Sequence, residues 1–227
     1  MKRRHRQMVH PALVGVLLLL AALTMLSACG GSPPVYVQQY VFAYAPPSPA
    51  GVKPLDAAIK VQRFGALPQF SSQRMFYRPD SYKMNHYIDH LWQGFPSDMI
   101  AGLLARDMAD SGRFAAVFGT SSVQMPRFML EGGLVKCWED DMAGGPVVEL
   151  EVDITLLDIQ QAETVKRVLF QKRYAATRSM SAKTAQSMAQ AMSQAMAQIS
   201  PQVTLDVYQA VAKRLSQGAP PLEKPIK

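Results

Sequence analysis

The sequence predicts an α/β fold: a single domain built as a sandwich, with helices packed on a mixed, largely antiparallel sheet. Three observations predict it. Strand-like runs precede a helix, three longer alternating runs follow, and one long helix ends the order, which suits helix layered on sheet. The run Val147 to Ile159 alternates Val148, Leu150, Val152, Ile154 and Leu156 with Glu149, Glu151, Asp153 and Thr155. That is the period-two pattern of a strand with one buried face and one face that is wet or covered by a partner. The composition, 48% hydrophobic and 18% charged over 227 residues, supplies apolar material for one core and excludes a disordered chain.

The elements follow in order. Val35 to Tyr44 sets Tyr36, Gln38 and Tyr40 against Val37, Gln39 and Val41, and the Pro-rich residues 45–51 break regular structure after it. Ala58 to Phe64 alternates apolar and polar residues and reads as a second strand; Met75 to Arg78 is a short strand before Pro79. The aromatic segment Tyr82 to Trp92 leads into a helix over Pro96–Asp110, with Ser97 and Asp98 as capping chemistry. Met99, Ile100, Leu103, Leu104 and Met108 form its apolar stripe, and Ser111-Gly112 stops it. Phe114 to Phe118 is a short strand. Phe128 to Trp138, Val147 to Ile159 and Val165 to Ala175 form an antiparallel meander. From Ser181 the chain is helical, and Pro201 is expected to kink or divide that helix near Ser200. Gly218, Pro220, Pro221 and Pro225 mark a loose tail.

The N-terminus carries an export pattern. Lys2, Arg3, Arg4 and Arg6 precede an apolar run from Ala12 to Leu26. Fifteen residues of helix span about 22 Å, short of the roughly 30 Å of a bilayer core, so a cleaved signal peptide explains the run better than a membrane span. Residues 1–28 hold four of the 24 basic residues and none of the 17 acidic ones, so their removal lowers the net charge from +7 to +3. A near-neutral mature chain lacks the electrostatic footprint of a nucleic-acid binder.

That apolar run ends in Leu26-Ser27-Ala28-Cys29, which resembles the lipobox of bacterial lipoproteins. The resemblance implies that the Cys29 thiol receives a diacylglycerol, that the chain is cut before it, and that the new amine is acylated with a fatty acid such as palmitate. Several acyl chains anchor a protein stably, because each buried CH₂ contributes about 0.8 kcal/mol and one chain alone is marginal. Gly30 stands where an inner-membrane retention signal would place Asp, which implies the periplasmic face of the outer membrane. The expected organisation is a signal peptide over 1–28, the lipidated Cys29 and a tether over 29–34, one domain over 35–216, and a tail over 217–227.

Several constellations invite chemistry. His86-Tyr87-Ile88-Asp89-His90 would place two imidazoles on one face of a helix, as a zinc site requires. No third ligand is defined, however, because the two remaining histidines, His5 and His10, fall in the signal peptide. Packing on a sheet edge accounts better for that motif. Glu139, Asp140 and Asp141 read as a solvated turn rather than a cation site. Cys137 reads as a buried thiol in a strand, since no histidine neighbours it. There is no Gly-x-Ser-x-Gly elbow and no phosphate-binding loop. The expectation is a non-enzymatic protein without cofactor or metal. Met188, Met192 and Met196 recur every four residues, continued by Val203, Val207 and Val211. They read either as core or as a partner or lipid surface, and the abundance of Ala permits the close helix approach of a homo-oligomer.

Taken together, the chain from about Tyr36 to Leu215 resembles the auxiliary lipoproteins of ABC-type transport systems, the PqiC-like companions of Mce-domain (MlaD-like) lipid transporters. The resemblance rests on Ala58-Ile59-Lys60-Val61, Arg74-Met75-Phe76-Tyr77-Arg78, Tyr87 through Trp92, the helix Met99 to Met108, and Phe114-Ala115-Ala116-Val117. A longer insert over Tyr77 to Asn85 and an Ala/Met-rich final helix depart from it. It implies an anchored domain that docks a periplasmic Mce-domain protein and helps phospholipid or another hydrophobic solute cross between the membranes. A related reading is a lipoprotein scaffold or regulator of cell-wall synthesis or of a secretion assembly.

Overall fold

The computed structural model describes residues 36–49, 51–142 and 144–217, with Gly15 alone before them. Apart from Gly15, the expected signal peptide lies outside the described residues, as do Cys29, the expected tether and the expected tail beyond Gln217. Residues 37–217 belong to one compact unit.

Among the described residues from 36 to 217, nine strands and three helices follow one another. They are β1 (Gln38–Tyr40), β2 (Leu55–Val61), β3 (Gly65–Ala66), β4 (Arg74–Asp80), β5 (Lys83–Trp92), α1 (Pro96–Asp110), β6 (Phe114–Phe118), β7 (Phe128–Asp140), β8 (Val147–Asp158), α2 (Thr164–Arg167), β9 (Val168–Ser179) and α3 (Ala185–Ser216); a 3₁₀ turn, Pro68–Phe70, separates β3 from β4. All the strands join one mixed sheet curled into a half-barrel. The expected meander is present, with β8 antiparallel to both β7 and β9. The other edge of β7 is shared by three short strands, all parallel to it. β2 pairs Ile59 with Phe128, β3 pairs Gly65 with Gly133, and β4 pairs Phe76 with Trp138. β5 then adds antiparallel to β4, and β1 parallel to the end of β5.

Local sequence explains the helices. Pro96 opens α1, where its missing N–H has no intrahelical partner to lose. Phe95 is the N-cap and no side chain caps it, so Ser97 does not serve as expected. Gly112, at φ 64, takes the left-handed conformation that ends the helix. In α3 the Thr184 hydroxyl accepts from Ser187 N at 3.2 Å, a side-chain N-cap.

Pro201 does not divide α3, which runs unbroken. Proline removes the bond to the Ala197 carbonyl, but Pro201 is exposed and Ala197 half-exposed, so water can satisfy that oxygen. The apolar stripe passes straight through, and Met188, Met192, Met196, Val203, Val207 and Val211 are all fully buried. The reading of Met188, Met192 and Met196 as a partner or lipid surface is therefore corrected. They pack on the same core as the inward β8 residues Val148, Leu150, Val152, Ile154 and Leu156. Ala191 and Ala195 are buried with them, so close helix approach is used within the chain, where α1 packs on α3.

Two polar clusters fix the ends of this layer. Asp158, fully buried, accepts from Arg127 Nε at 2.9 Å and Nη2 at 2.8 Å and from Arg214 Nε at 2.8 Å. These bonds hold the approach to β7, the end of β8 and the last turn of α3 together. Lys60, read as a polar strand position, is 2% exposed. Its ammonium donates to the carbonyls of Gly119, at 2.8 Å, and of Ser122, pinning the loop between β6 and β7.

Candidate functional site

The residues His86 to His90 lie in β5, not in a helix. Four strand residues span about 13 Å, so the two imidazoles do not meet at one ion. Their ring nitrogens have other neighbours: His90 Nδ1 lies 3.0 Å from the Tyr40 hydroxyl, and His86 Nδ1 lies 3.0 Å from the Tyr87 carbonyl. Among the described residues, no three His, Cys, Asp or Glu side chains converge closely enough to hold a metal ion.

The same strand instead walls a cavity. The registers set Tyr77 of β4 opposite Asn85 of β5 on one side and Glu139 of β7 on the other. Three neighbouring strands thereby bring Tyr77, Tyr87 and Glu139 to one place. Asp141, just past β7, and Lys183, just before α3, complete a cavity of about 410 Å³. Tyr77 and Tyr87 meet edge to face with ring centroids 5.4 Å apart, and Tyr87 and His90 do so at 5.9 Å.

The acids at the end of β7 depart most from expectation. They are not a solvated turn: Glu139 is 1% exposed and Asp140 is buried as well. The two are handled differently. Asp140 pairs with the Arg78 guanidinium and accepts from Met142 N at 2.9 Å. Burial works against its charge, but those partners outweigh burial and hold its carboxyl below the usual range. Glu139 accepts from the Tyr87 hydroxyl at 2.6 Å. Burial pushes its carboxyl up, the tyrosine bond partly offsets that, and the nearby Asp141 carboxyl adds to the rise. Lys183 Nζ lies 2.9 Å from Asp141 Oδ1 and pairs with it.

A sequence reading passes over this site because its parts are far apart in the chain. Tyr87 and Glu139 are separated by 52 residues, and Arg78 and Asp140 by 62. The available signal was an arginine in a short aromatic strand together with an acid triplet directly after a predicted strand.

Two further hollows flank residues 41–44. One, of about 450 Å³, lies against α3 near Gln190 and Ser193, where Ala43 N donates to Ser193 Oγ at 2.9 Å. The other, of about 400 Å³ and largely apolar, lies against Met99, Gly102 and Leu103 of α1. The outward face of the meander carries a lattice of paired charges. Lys136 reaches Glu149 at 3.1 Å and Glu151 at 3.3 Å, and Arg173 reaches Asp153 at 2.6 Å and Glu151 at 2.9 Å. Cys137 is fully enclosed and burial pushes its thiol up to about 12, which removes the thiolate a nucleophile needs. Among the described residues no serine or cysteine is hydrogen-bonded to a histidine, the pairing that activates a nucleophile.

Solved structures share this fold. Protein XCC0632 from Xanthomonas campestris superposes with a TM-score of 0.67 at 19% identity, over 80% of this chain and 99% of that one. The hypothetical protein CT253 from Chlamydia trachomatis does so with a TM-score of 0.52 at 8% identity, over 70% of this chain and 99% of that one. No curated protein matches the sequence. The sequence model of the ABC-type transport auxiliary lipoprotein component, which is not an enzyme family, matches residues 40–204, a span that includes both walls of the cavity and most of α3. On that match the chain belongs to the family of ABC-type transport auxiliary lipoprotein components.

Proposed function

We propose that this chain is acylated at Cys29 and works at the periplasmic face of the outer membrane. There it serves as the docking partner of a periplasmic Mce-domain protein in an ABC-type system that moves phospholipid or another hydrophobic solute between the membranes. The observation that carries this reading is the family match over residues 40–204. The lipobox-like Leu26-Ser27-Ala28-Cys29 and the following Gly30 supply the anchor and its address. Anchoring has a physical use. A domain held within a few nanometres of one membrane meets a partner that spans the periplasm at a far higher effective concentration than a free one would. The contribution is then one of binding and position, which suits a chain whose buried thiol is inert.

The test is crosslinking of the full acylated chain in intact cells, with mass spectrometry of the captured proteins. Capture of an Mce-domain protein that disappears with Cys29→Ser, together with outer-membrane fractionation of the wild type, is the expected result. Capture of cell-wall synthases in its place would overturn the transport role.

A further inference from the structure

We propose that the cavity between β4, β5 and β7 binds a primary ammonium group on the Glu139 and Asp141 carboxyls. The group is offered by a short free amine or by the amino headgroup of a phospholipid. The burial, charge, aromatic lining and size of the cavity converge on this chemistry.

Glu139 is almost fully buried; the neutral Tyr87 hydroxyl donates to it, and the Asp141 carboxyl lies against it. No Lys or Arg among the described residues lies within ion-pair distance of it, although its neighbour Asp140 has Arg78. A buried carboxyl without a counter-ion is costly, and a bound cation removes the cost. Asp141, on the same cavity, meets the Lys183 ammonium through Oδ1 at 2.9 Å, and a carboxylate has lone pairs enough to accept further N–H bonds. The two carboxylates are matched acceptors for one group that carries several N–H bonds.

The lining holds three carboxylates, of Asp89, Glu139 and Asp141, against the lone ammonium of Lys183. Lys183 is largely exposed and reaches Asp141 only, so the cavity retains an excess of negative charge. The Tyr77, Tyr87 and His90 rings stand around it, and aromatic faces attract cations. The volume of about 410 Å³ suits a small organic group rather than a bare ion. Ile88, on the rim, is 81% exposed and offers apolar contact to the stem that carries the ammonium.

The free-amine result stands apart from the transport reading, so either can fail alone. The experiment is hydrogen–deuterium exchange of the full acylated chain in detergent, titrated with ethanolamine and separately with uncharged N-acetylethanolamine. The chain is then measured in vesicles of phosphatidylglycerol with or without phosphatidylethanolamine. Exchange over residues 86–90 and 139–142 slows about tenfold at ten times the half-saturating ethanolamine concentration, and N-acetylethanolamine leaves it unchanged. Glu139→Gln and Asp141→Asn each weaken the effect about tenfold or more, as the loss of a charge-assisted bond does. Protection by phosphatidylethanolamine vesicles assigns the headgroup as the source, and protection by ethanolamine alone assigns a soluble amine. Equal protection by N-acetylethanolamine, no protection by either amine source, or full protection in folded Glu139→Gln would overturn the proposal. The ligand-side comparison keeps the test decisive even if a buried variant does not fold.

Discussion

The Tyr44 hydroxyl donates to Asp107 Oδ2 across 2.6 Å, joining the segment after β1 to the middle of the molecule. Asp107, fully buried in α1, also accepts from the Ser200 hydroxyl of α3 and, on Oδ1, from Arg106 Nε at 2.8 Å. The Arg106 guanidinium in turn stacks 4.6 Å from the Tyr44 ring centroid. Burial first, and then the bond to Asp107, hold the Tyr44 hydroxyl above its ordinary pKa, so it remains a donor. One carboxylate thus gathers three segments of the chain. Tyr44→Phe is expected to lower stability by about 1.5–3 kcal/mol, the usual worth of a hydrogen bond to a charged group. Asp107→Ala, which strands Arg106 and Ser200, should cost about 3–5 kcal/mol. Urea unfolding of the two variants measures both, and a loss from Tyr44→Phe equal to that of Asp107→Ala would contradict this ordering.

Gly132 and Phe64 define a second tight relationship. A Cβ at Gly132 would lie 2.5 Å from the Phe64 ring, which folds over β7 between β2 and β3. Phe64 is buried, so the ring has little room to yield. Gly132→Ala is therefore expected to destabilise by about 1–3 kcal/mol, the range for overpacking. In a Phe64→Leu background the same substitution should cost less, with a coupling of about 1 kcal/mol. A double-mutant cycle by thermal or urea unfolding reads the difference, and strict additivity would show that the ring is not what Gly132 accommodates.

How far the sequence alone reaches differs from element to element. α1 and β6 have the bounds that local signals assign, because Pro96, Gly112 and a short apolar run act where they stand. β5 was legible only as an aromatic segment. His86, Tyr87 and His90 break any clean alternation, and its strand character depends on pairing with β4 and with the distant β1. The methionine stripe gave the right helix but left open which side it faced, since periodicity locates a face and not its neighbour. The candidate cavity was the least legible part. Burial of Glu139 and Asp140 depends on Tyr87 and Arg78, which the fold brings from another hairpin.

Asp158 sets an acid limit on stability. Burial opposes its charge, but the hydrogen bonds from Arg127 and Arg214 outweigh burial and hold its carboxyl at about 2. The unfolded value is near 3.9, so the folded state binds this proton less readily than the unfolded state. The group's contribution is thus fully present above about pH 4 and is lost as pH falls through about 2. It amounts to roughly 2 kcal/mol at neutral pH by linkage. Unfolding free energy measured from pH 6 to pH 2 should fall most steeply in that lower window. Asp158→Asn should flatten the fall while lowering stability at pH 6, because it leaves Arg127 and Arg214 without their anion. A variant that kept the wild-type acid slope would assign the slope to other carboxyls.

Cys137 allows the anchor itself to be tested by counting thiols. The chain has two cysteines, Cys29 and Cys137. Cys137 is enclosed and its thiol is pushed up to about 12 by burial, so at pH 8 the folded protein should not react there with a maleimide. In guanidinium chloride Cys137 is exposed and its pKa returns toward about 8.5, so it should label readily. A Cys29 thiol carrying a diacylglycerol thioether is blocked in both conditions. The mature protein purified from membranes should therefore give no label when folded and one label per chain when unfolded, by intact-mass measurement. Two labels after unfolding would show an unacylated Cys29. Rapid labelling of the folded chain at Cys137 would show that β7 opens far more readily than its position at the centre of the sheet implies.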